Sequence, residues 1–170
     1  MEKELLDKWL TQVAAGNDAA FERLYESMKR GVFAFAYAYL GNRADAEDAV
    51  QDTFLQVKRK IALYKRGTDA RAWIFQIAKN LALDELRKRK TRQKAQTEKT
   101  EIAVEPAFPL LDEITAALSN EEKEIVILHA VWGYKHREIA QMKGLPLGTV
   151  TWKYNAAIEK LRKQRKEDDE

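Results

Sequence analysis

The sequence predicts an all-α protein of two small helical domains joined by a flexible linker, the C-terminal one containing a helix-turn-helix. Three observations carry this. Apolar residues recur at helical spacing nearly everywhere. Seven Gly and three Pro in 170 residues leave long helices few breaks. Residues 91–109 lack the helical period and end near Pro106 and Pro109, which marks a linker.

The first helix, about residues 2–14, places Leu5, Leu6, Trp9, Leu10 and Val13 on one side, and Gly16-Asn17 breaks it. Asp18 suits the cap of a second helix running to about Leu40, with Gly41 closing it. Phe21, Leu24, Tyr25, Met28, Val32, Phe33, Tyr37 and Leu40 make that helix rich in large apolar side chains. A third helix is expected from Arg43 to Leu63, a loop from Tyr64 to Ala70, and a fourth helix from Arg71 to about Arg89. Beyond the linker, Leu110 to Leu118 forms a short helix. Ser119 with Glu122 makes a capping box for a helix to Trp132, and Gly133 fits its end. A helix over Lys135–Lys143 and one from Leu147 to about Lys163 flank Gly144-Leu145-Pro146, and the acidic tail frays. The expected domains are residues 1–90 and 110–166, with 91–109 as the tether.

Composition removes several classes of chemistry. The chain has no cysteine, which excludes disulfides and thiolates, and two histidines, His129 and His136. No catalytic constellation, metal site or cofactor is expected. The N-terminal MEKELLDKWL is helical and mixed in charge, unlike a signal peptide. No apolar run approaches the roughly 18 residues of a membrane span, so a cytoplasmic protein without membrane insertion is expected. Residues 1–90 carry 17 basic and 13 acidic side chains, while residues 111–170 carry 10 and 11. The basic excess ends in Arg87-Lys88-Arg89-Lys90. That run is either a nucleic-acid patch or cations completing a helix C-terminus.

Three faces stand apart from the core pattern. On the third helix, Ala46, Val50, Phe54, Val57 and Ile61 share one side at about 100° per residue. Asp45, Asp48 and Asp52 share the other, with Leu55 beside them. A solvated acidic face, a protein-docking patch and a cation site are all compatible with that spacing. On the fourth helix, Trp73, Gln76, Asn80, Asp84 and Arg87 line one side. An aromatic to stack a base, amides for base edges and an Arg for phosphate suit a single-strand platform. Packing of Trp73 under the preceding loop is the alternative. The loop Lys65–Asp69, just before it, suits the rim of a pocket for a flipped base. The last two helices spell a helix-turn-helix, E-I-A followed by G-x-P-x-G-T-V, whose second helix would enter a DNA major groove. Helix pairs of this shape also serve as plain packing units.

Taken in order, AFERLYESMKRGVFAFAYAYLGNRADAEDAVQDTFLQV, ARAWIFQIAKNLALDELRKRK and LSNEEKEIVILHAVWGYKHREIAQMKGLPLGTVTWKYNAAIEKLRK resemble one family. It is the bacterial RNA polymerase sigma factors, in the extracytoplasmic-function (ECF) group. The combination W-I-F-x-I-A-x-N-x-x-x-D-x-x-R with E-I-A…P-x-G-T-V is the specific part. The resemblance implies a promoter-specificity subunit rather than an enzyme, with core RNA polymerase and promoter DNA as partners and an anti-sigma factor as its inhibitor. It implies that Asp45, Asp48, Gln51, Asp52 and Leu55 dock on core polymerase. Arg66, Asp69, Trp73, Gln76, Lys79, Asn80 and Arg87 would serve the minus-ten element, where the strand opens. His136, Arg137, Thr149, Thr151, Trp152 and Lys153 would serve the minus-thirty-five duplex.

The chain departs from the family where that second reading helix begins. A basic residue, a small residue and an Arg are usual after G-T-V. Here Thr151-Trp152-Lys153 stand there, and Ala156 replaces a further common Arg. A stand-alone regulator with a C-terminal helix-turn-helix is the main rival. The stretch Ala44–Arg89 separates the two, because a regulator has no use for docking and strand-opening segments. A helical adaptor binding protein alone is the second rival.

Overall fold

The computed structural model describes residues 2–95 and 108–169, and among these it forms eight α-helices and no strand. They are α1 (Glu2–Ala14), α2 (Asp18–Leu40), α3 (Arg43–Lys60), α4 (Ala70–Ala95), α5 (Pro109–Ala117), α6 (Asn120–Ala130), α7 (His136–Lys143) and α8 (Leu147–Asp168). A single 3-10 turn, Ile61–Leu63, follows α3. Most of the linker expected at 91–109 lies outside the described residues.

Local chemistry sets the helix ends. Asn17, one residue before the expected cap, accepts the Ala20 amide at 3.1 Å and starts α2. Gly41 ends it with φ +74°, a conformation that costs a residue with Cβ about 1 kcal/mol or more. Asn42 accepts the Asp45 amide at 2.9 Å and opens α3. The Ser119–Glu122 capping box is present, with both reciprocal bonds made. Two helices run longer than the hydrophobic period suggested. The α4 helix continues to Ala95, because Arg92 pairs with Glu85 and the last turn carries cations that complement the dipole. The α8 helix reaches Asp168, so the chain is helical five residues beyond the expected end at Lys163. Conversely, α6 stops at Ala130, and Trp132 belongs to the turn before α7.

Helices α1–α4 and α5–α8 close on one another around a continuous core. Leu6, Leu10, Leu24, Val32, Phe35 and Ile74 of the first half join Ile125, Leu128, Ile139 and Val150 of the second in a single cluster. The last turns of α2 explain how. Residues 34–40 are buried all round, as expected of the sequence VFAFAYAYL, which offers no polar face. One side of α2 packs on α3 and α4, the other on α5 and α6. Its tyrosine hydroxyls find partners across the junction: Tyr37 donates to Asp112 at 2.5 Å, and Tyr39 to the Asn120 carbonyl at 3.0 Å. Burial and the Asp112 carboxylate push the Tyr37 phenol up to about 12.

The turn after α6 clasps the first half. The Trp132 indole is 5 % exposed, donates to the Gly31 carbonyl at 3.1 Å and meets the Phe75 ring edge-on at 5.3 Å. Its own carbonyl accepts Arg71 at 2.8 Å. A Cβ at position 31 would lie 3.1 Å from the indole, so glycine there allows the approach. Tyr134 donates to Asp69 at 3.1 Å, Lys79 to Glu124 at 3.1 Å, and Lys3 to Glu138 at 2.9 Å.

Candidate nucleic-acid interface

The outer face of α3 is a polar stripe with an apolar end. Asp48, Gln51, Asp52 and Leu55 are exposed, Leu55 by half. Neither Asp48 nor Asp52 has an ion-pair partner among the described residues. Asp45 lies off that stripe. It is half-buried, accepts Asn42 at 2.9 Å and pairs with Arg89, which also donates to the Leu40 carbonyl. Burial works to raise the Asp45 carboxyl, but the Asn42 bond and the Arg89 charge hold it below its usual value. Wheel geometry had grouped Asp45 with Asp48 and Asp52, yet it carries no information about the Arg89 that pulls Asp45 sideways. Among the described residues no group of three or more acidic or histidine side chains is placed to hold a metal ion.

Next to this stripe, the Tyr64–Thr68 loop is pinned from α1. Asp7 accepts the Tyr64 hydroxyl at 2.6 Å and the Gly67 amide at 2.9 Å, and these bonds hold its carboxyl below the usual range. Asp7 was missed in the sequence, where it is one more charge on the polar side of an amphipathic helix. Asp69 accepts the Ala72 amide at 3.1 Å and thereby caps α4. From there Trp73, Gln76, Asn80 and Arg87 climb one side of α4. Gln76, Asn80 and Arg87 are exposed, as is Arg66 in the loop. Gln76 donates to Asn80 at 2.9 Å, which orients both amides, and Arg87 pairs with Asp84. Trp73 is half-buried, its ring 5.2 Å from Tyr64. Trp73 thus packs against the loop residue Tyr64 while remaining partly accessible. Lys79 and Asp69 face the other way, toward Glu124 and Tyr134 of the second half.

The helix-turn-helix is built by α7 and α8. Gly144 turns the chain at φ +64°, and Leu145 returns its amide to the Ala140 carbonyl at 3.0 Å. Glu138 accepts the Lys135 amide at 2.8 Å and fixes the start of α7. Arg137 and Trp152 are exposed, and Thr149 is half-buried. Lys153 reaches back to Glu121 at 2.6 Å. Thr151 lies 3.2 Å from Nδ1 of His136.

His136 was expected to face DNA, but its ring points inward. It sits 4.5 Å from the His129 ring and 4.8 Å from Tyr154, and its Nε2 is buried without a partner. The reason is the aromatic trio itself, which the spacing of one helix does not reveal. Burial chiefly, and the His129 charge secondarily, hold the His136 imidazole below its usual value. On unfolding it returns to about 6.5, so the unfolded chain takes up protons first as pH falls. Stability is therefore expected to drop as pH falls below about 6.5, before the carboxylates titrate. Thermal melts between about pH 7.5 and about pH 5.5 check this. The His136→Phe variant should show a flatter profile, and equal slopes in the two proteins would contradict it.

Comparison with known proteins matches both halves separately. A family described as Sigma-70 region 2 covers residues 24–92, and one described as Sigma-70, region 4 covers residues 109–161. The RNA polymerase sigma factor CarQ of Myxococcus xanthus is 33% identical over 157 residues, covering 86% of this chain and 90% of CarQ. The ECF RNA polymerase sigma factor BldN of Streptomyces coelicolor is 30% identical over 84% of this chain, which spans only 59% of BldN. Among solved structures, the sigma factor RpoE bound to the anti-sigma factor NepR, from Bartonella quintana, superposes with a TM-score of 0.68 at 26% identity. That match covers 86% of this chain and 96% of RpoE. Two regions matched in order, together with relatives named as sigma factors, lead to one conclusion: the chain belongs to the ECF group of bacterial RNA polymerase sigma factors.

Proposed function

We propose that this chain acts in the cytoplasm as a promoter-specificity subunit and not as an enzyme, docking on core RNA polymerase through Asp48, Gln51, Asp52 and Leu55 of α3. The observation that carries this is the side-by-side exposure of two unlike stripes, acidic-apolar on α3 and amide-aromatic-basic on α4. An acidic-apolar stripe without ion-pair partners suits a basic protein surface. The α4 stripe, with Arg66 at its foot, suits a melted strand: Trp73 stacks, Gln76 and Asn80 meet base edges, and Arg87 meets phosphate. The α7–α8 pair then reads duplex upstream, with Arg137 placing the backbone. No cofactor is needed, because the polymerase makes the bonds.

The closed packing bears on this role. Elements named for positions ten and thirty-five upstream lie about 25 base pairs apart, or about 85 Å at about 3.4 Å per pair. Here the two halves touch directly, through Lys79–Glu124 and Tyr134–Asp69 among other bonds. A chain in this form cannot span both elements, and Lys79 and Asp69 are occupied. The closed form is the resting form, and core polymerase or DNA engages after the halves separate. An anti-sigma factor, such as the partner of RpoE in the superposed complex, would act on the same equilibrium.

In vitro transcription from a genomic promoter library, with core polymerase alone and with this chain added, tests the proposal. New start sites sharing two spaced upstream motifs are expected. Binding to core without new transcripts would favour a protein-binding adaptor. Failure to bind core, with duplex DNA still bound, would favour the stand-alone regulator.

A further inference from the structure

The outward side of α8 differs from what a guanine-reading helix presents. Its exposed residues through the first turns are Gly148, Trp152, Asn155 and Glu159, spaced as one stripe along the helix. None is a cation. The two lysines nearest the stripe are drawn away, Lys153 to Glu121 at 2.6 Å and Lys160 to Glu122 at 2.7 Å. The next cations on the same side are Arg162 and Lys163, which stand about 15 Å or more along the axis from Trp152. Trp152 is 69 % exposed, the most exposed aromatic among the described residues, and stacks on no other ring there. Side chains on a helix lean over the turn that precedes them. The turn before Trp152 carries Gly148, where even an added Cβ would meet nothing within 4 Å. The indole therefore borders open space at the N-terminal end of the helix, the end that a helix-turn-helix offers to base edges.

We propose that Trp152 and Asn155 are the base-reading pair of this helix, selecting an upstream element rich in A·T pairs. This deepens the sigma-factor reading and rests on it. In the major groove guanine is read mainly by Arg or Lys at O6 and N7, and the stripe supplies neither through Glu159. Thymine offers a C5-methyl group, which matches the apolar indole edge. Adenine offers N6 as donor and N7 as acceptor, which matches the two-sided Asn carboxamide. Glu159, farther along, repels phosphate and would accept only from cytosine N4, so the A·T preference rests on Trp152 and Asn155. Backbone affinity comes from elsewhere, with Arg137 of α7 exposed. Asn155 was passed over in the sequence because the family motif drew attention to the three residues after Gly148-Thr149-Val150.

The test uses holoenzyme reconstituted from core polymerase and the full chain. Promoters are first selected from a duplex library randomised over the upstream element. Single thymines in the selected element are then replaced by deoxyuridine, which removes only the methyl group, and single adenines by 7-deazaadenine, which removes only the N7 acceptor. At one or two positions deoxyuridine is expected to weaken closed-complex binding about fourfold, the worth of one buried methyl group. At another, 7-deazaadenine is expected to weaken it about tenfold. Trp152→Ala should bind thymine and deoxyuridine promoters alike, and Asn155→Ala should ignore 7-deazaadenine. Both side chains are exposed, so unchanged circular dichroism is expected for the variants. Wild-type binding indifferent to both base analogues, or a G·C-rich selected element that Trp152→Ala still prefers, overturns the proposal and leaves Trp152 as a protein contact. Failure of the holoenzyme to select any element overturns the sigma-factor reading beneath it as well.

Discussion

Trp132→Ala is expected to open the free protein. The indole sits at the meeting of the two halves, nearly fully buried, with its N–H on the Gly31 carbonyl and its ring edge against Phe75. Replacing a buried Trp by Ala costs about 3–5 kcal/mol where the cavity cannot collapse. Here that loss falls on a junction between halves rather than on the inside of either. Contacts of this kind resemble transient interfaces and yield first. A loss of about 3 kcal/mol moves a closed-to-open equilibrium by about 150-fold. Small-angle scattering reads the result directly. A compact chain of this length has a radius of gyration of about 15 Å, and the variant should exceed that clearly while keeping its helical circular dichroism. Gly31→Leu attacks the same contact from the other side, since even its Cβ would crowd the indole at 3.1 Å. If both variants scatter like the wild type, the clasp does not hold the halves together. If the wild type is itself extended, the closed form is not the resting form.

This junction was the part of the fold least legible in the sequence. The helices were read with ends shifted by a few residues, because caps and apolar spacing are local signals: Asn17, Gly41, Ser119 and Gly144 each act within four residues of themselves. The packing of one half on the other is not local. Its trace was the all-round apolar stretch of α2, Val32 to Leu40, which cannot be buried by α3 and α4 alone. Gly31 gave no warning, since a glycine inside a helix reads as a weakness until a Trp some hundred residues later is seen to need the space.

The candidate sites show the same divide. Exposed stripes such as Asp48, Gln51, Asp52 and Leu55, or Gln76, Asn80 and Arg87, follow from helical spacing, and the structure exposes them. Residues that meet other elements in this packing depart from the single-helix picture. Asp45 is drawn to Arg89, Lys79 to Glu124, and His136 into a ring cluster with His129 and Tyr154. Each depends on a partner from another helix, about which a single helical wheel is silent.

The exposed stripe on α3 leads to the second large effect. Asp48→Arg combined with Asp52→Arg should leave folding nearly unchanged while abolishing useful affinity for core polymerase. Both carboxylates are exposed, neither has an ion-pair partner among the described residues, and both lie beyond the first turn of α3, where the helix dipole helps little. Surface substitutions of that kind usually shift stability within about 0.5 kcal/mol. At an interface the sign of the same charges matters far more. Truncating one partner of a buried charge pair costs about 2–5 kcal/mol, and reversal adds repulsion. Core affinity should fall at least about 100-fold, which corresponds to about 2.7 kcal/mol. Fluorescence anisotropy of labelled protein titrated with core polymerase measures it, and a thermal melt verifies the fold. The match should also be ionic-strength dependent in the wild type and lose that dependence in the variant, because exposed charges are screened over about 10 Å at about 0.1 M salt. Asp45→Asn supplies the contrast. Asp45 holds Arg89 within the fold, so its loss should lower the melting temperature before it weakens core binding. Core affinity that survives the double reversal would place the docking surface elsewhere. Affinity lost equally with Asp45→Asn would mean that the integrity of α3, rather than its exposed charge, governs docking.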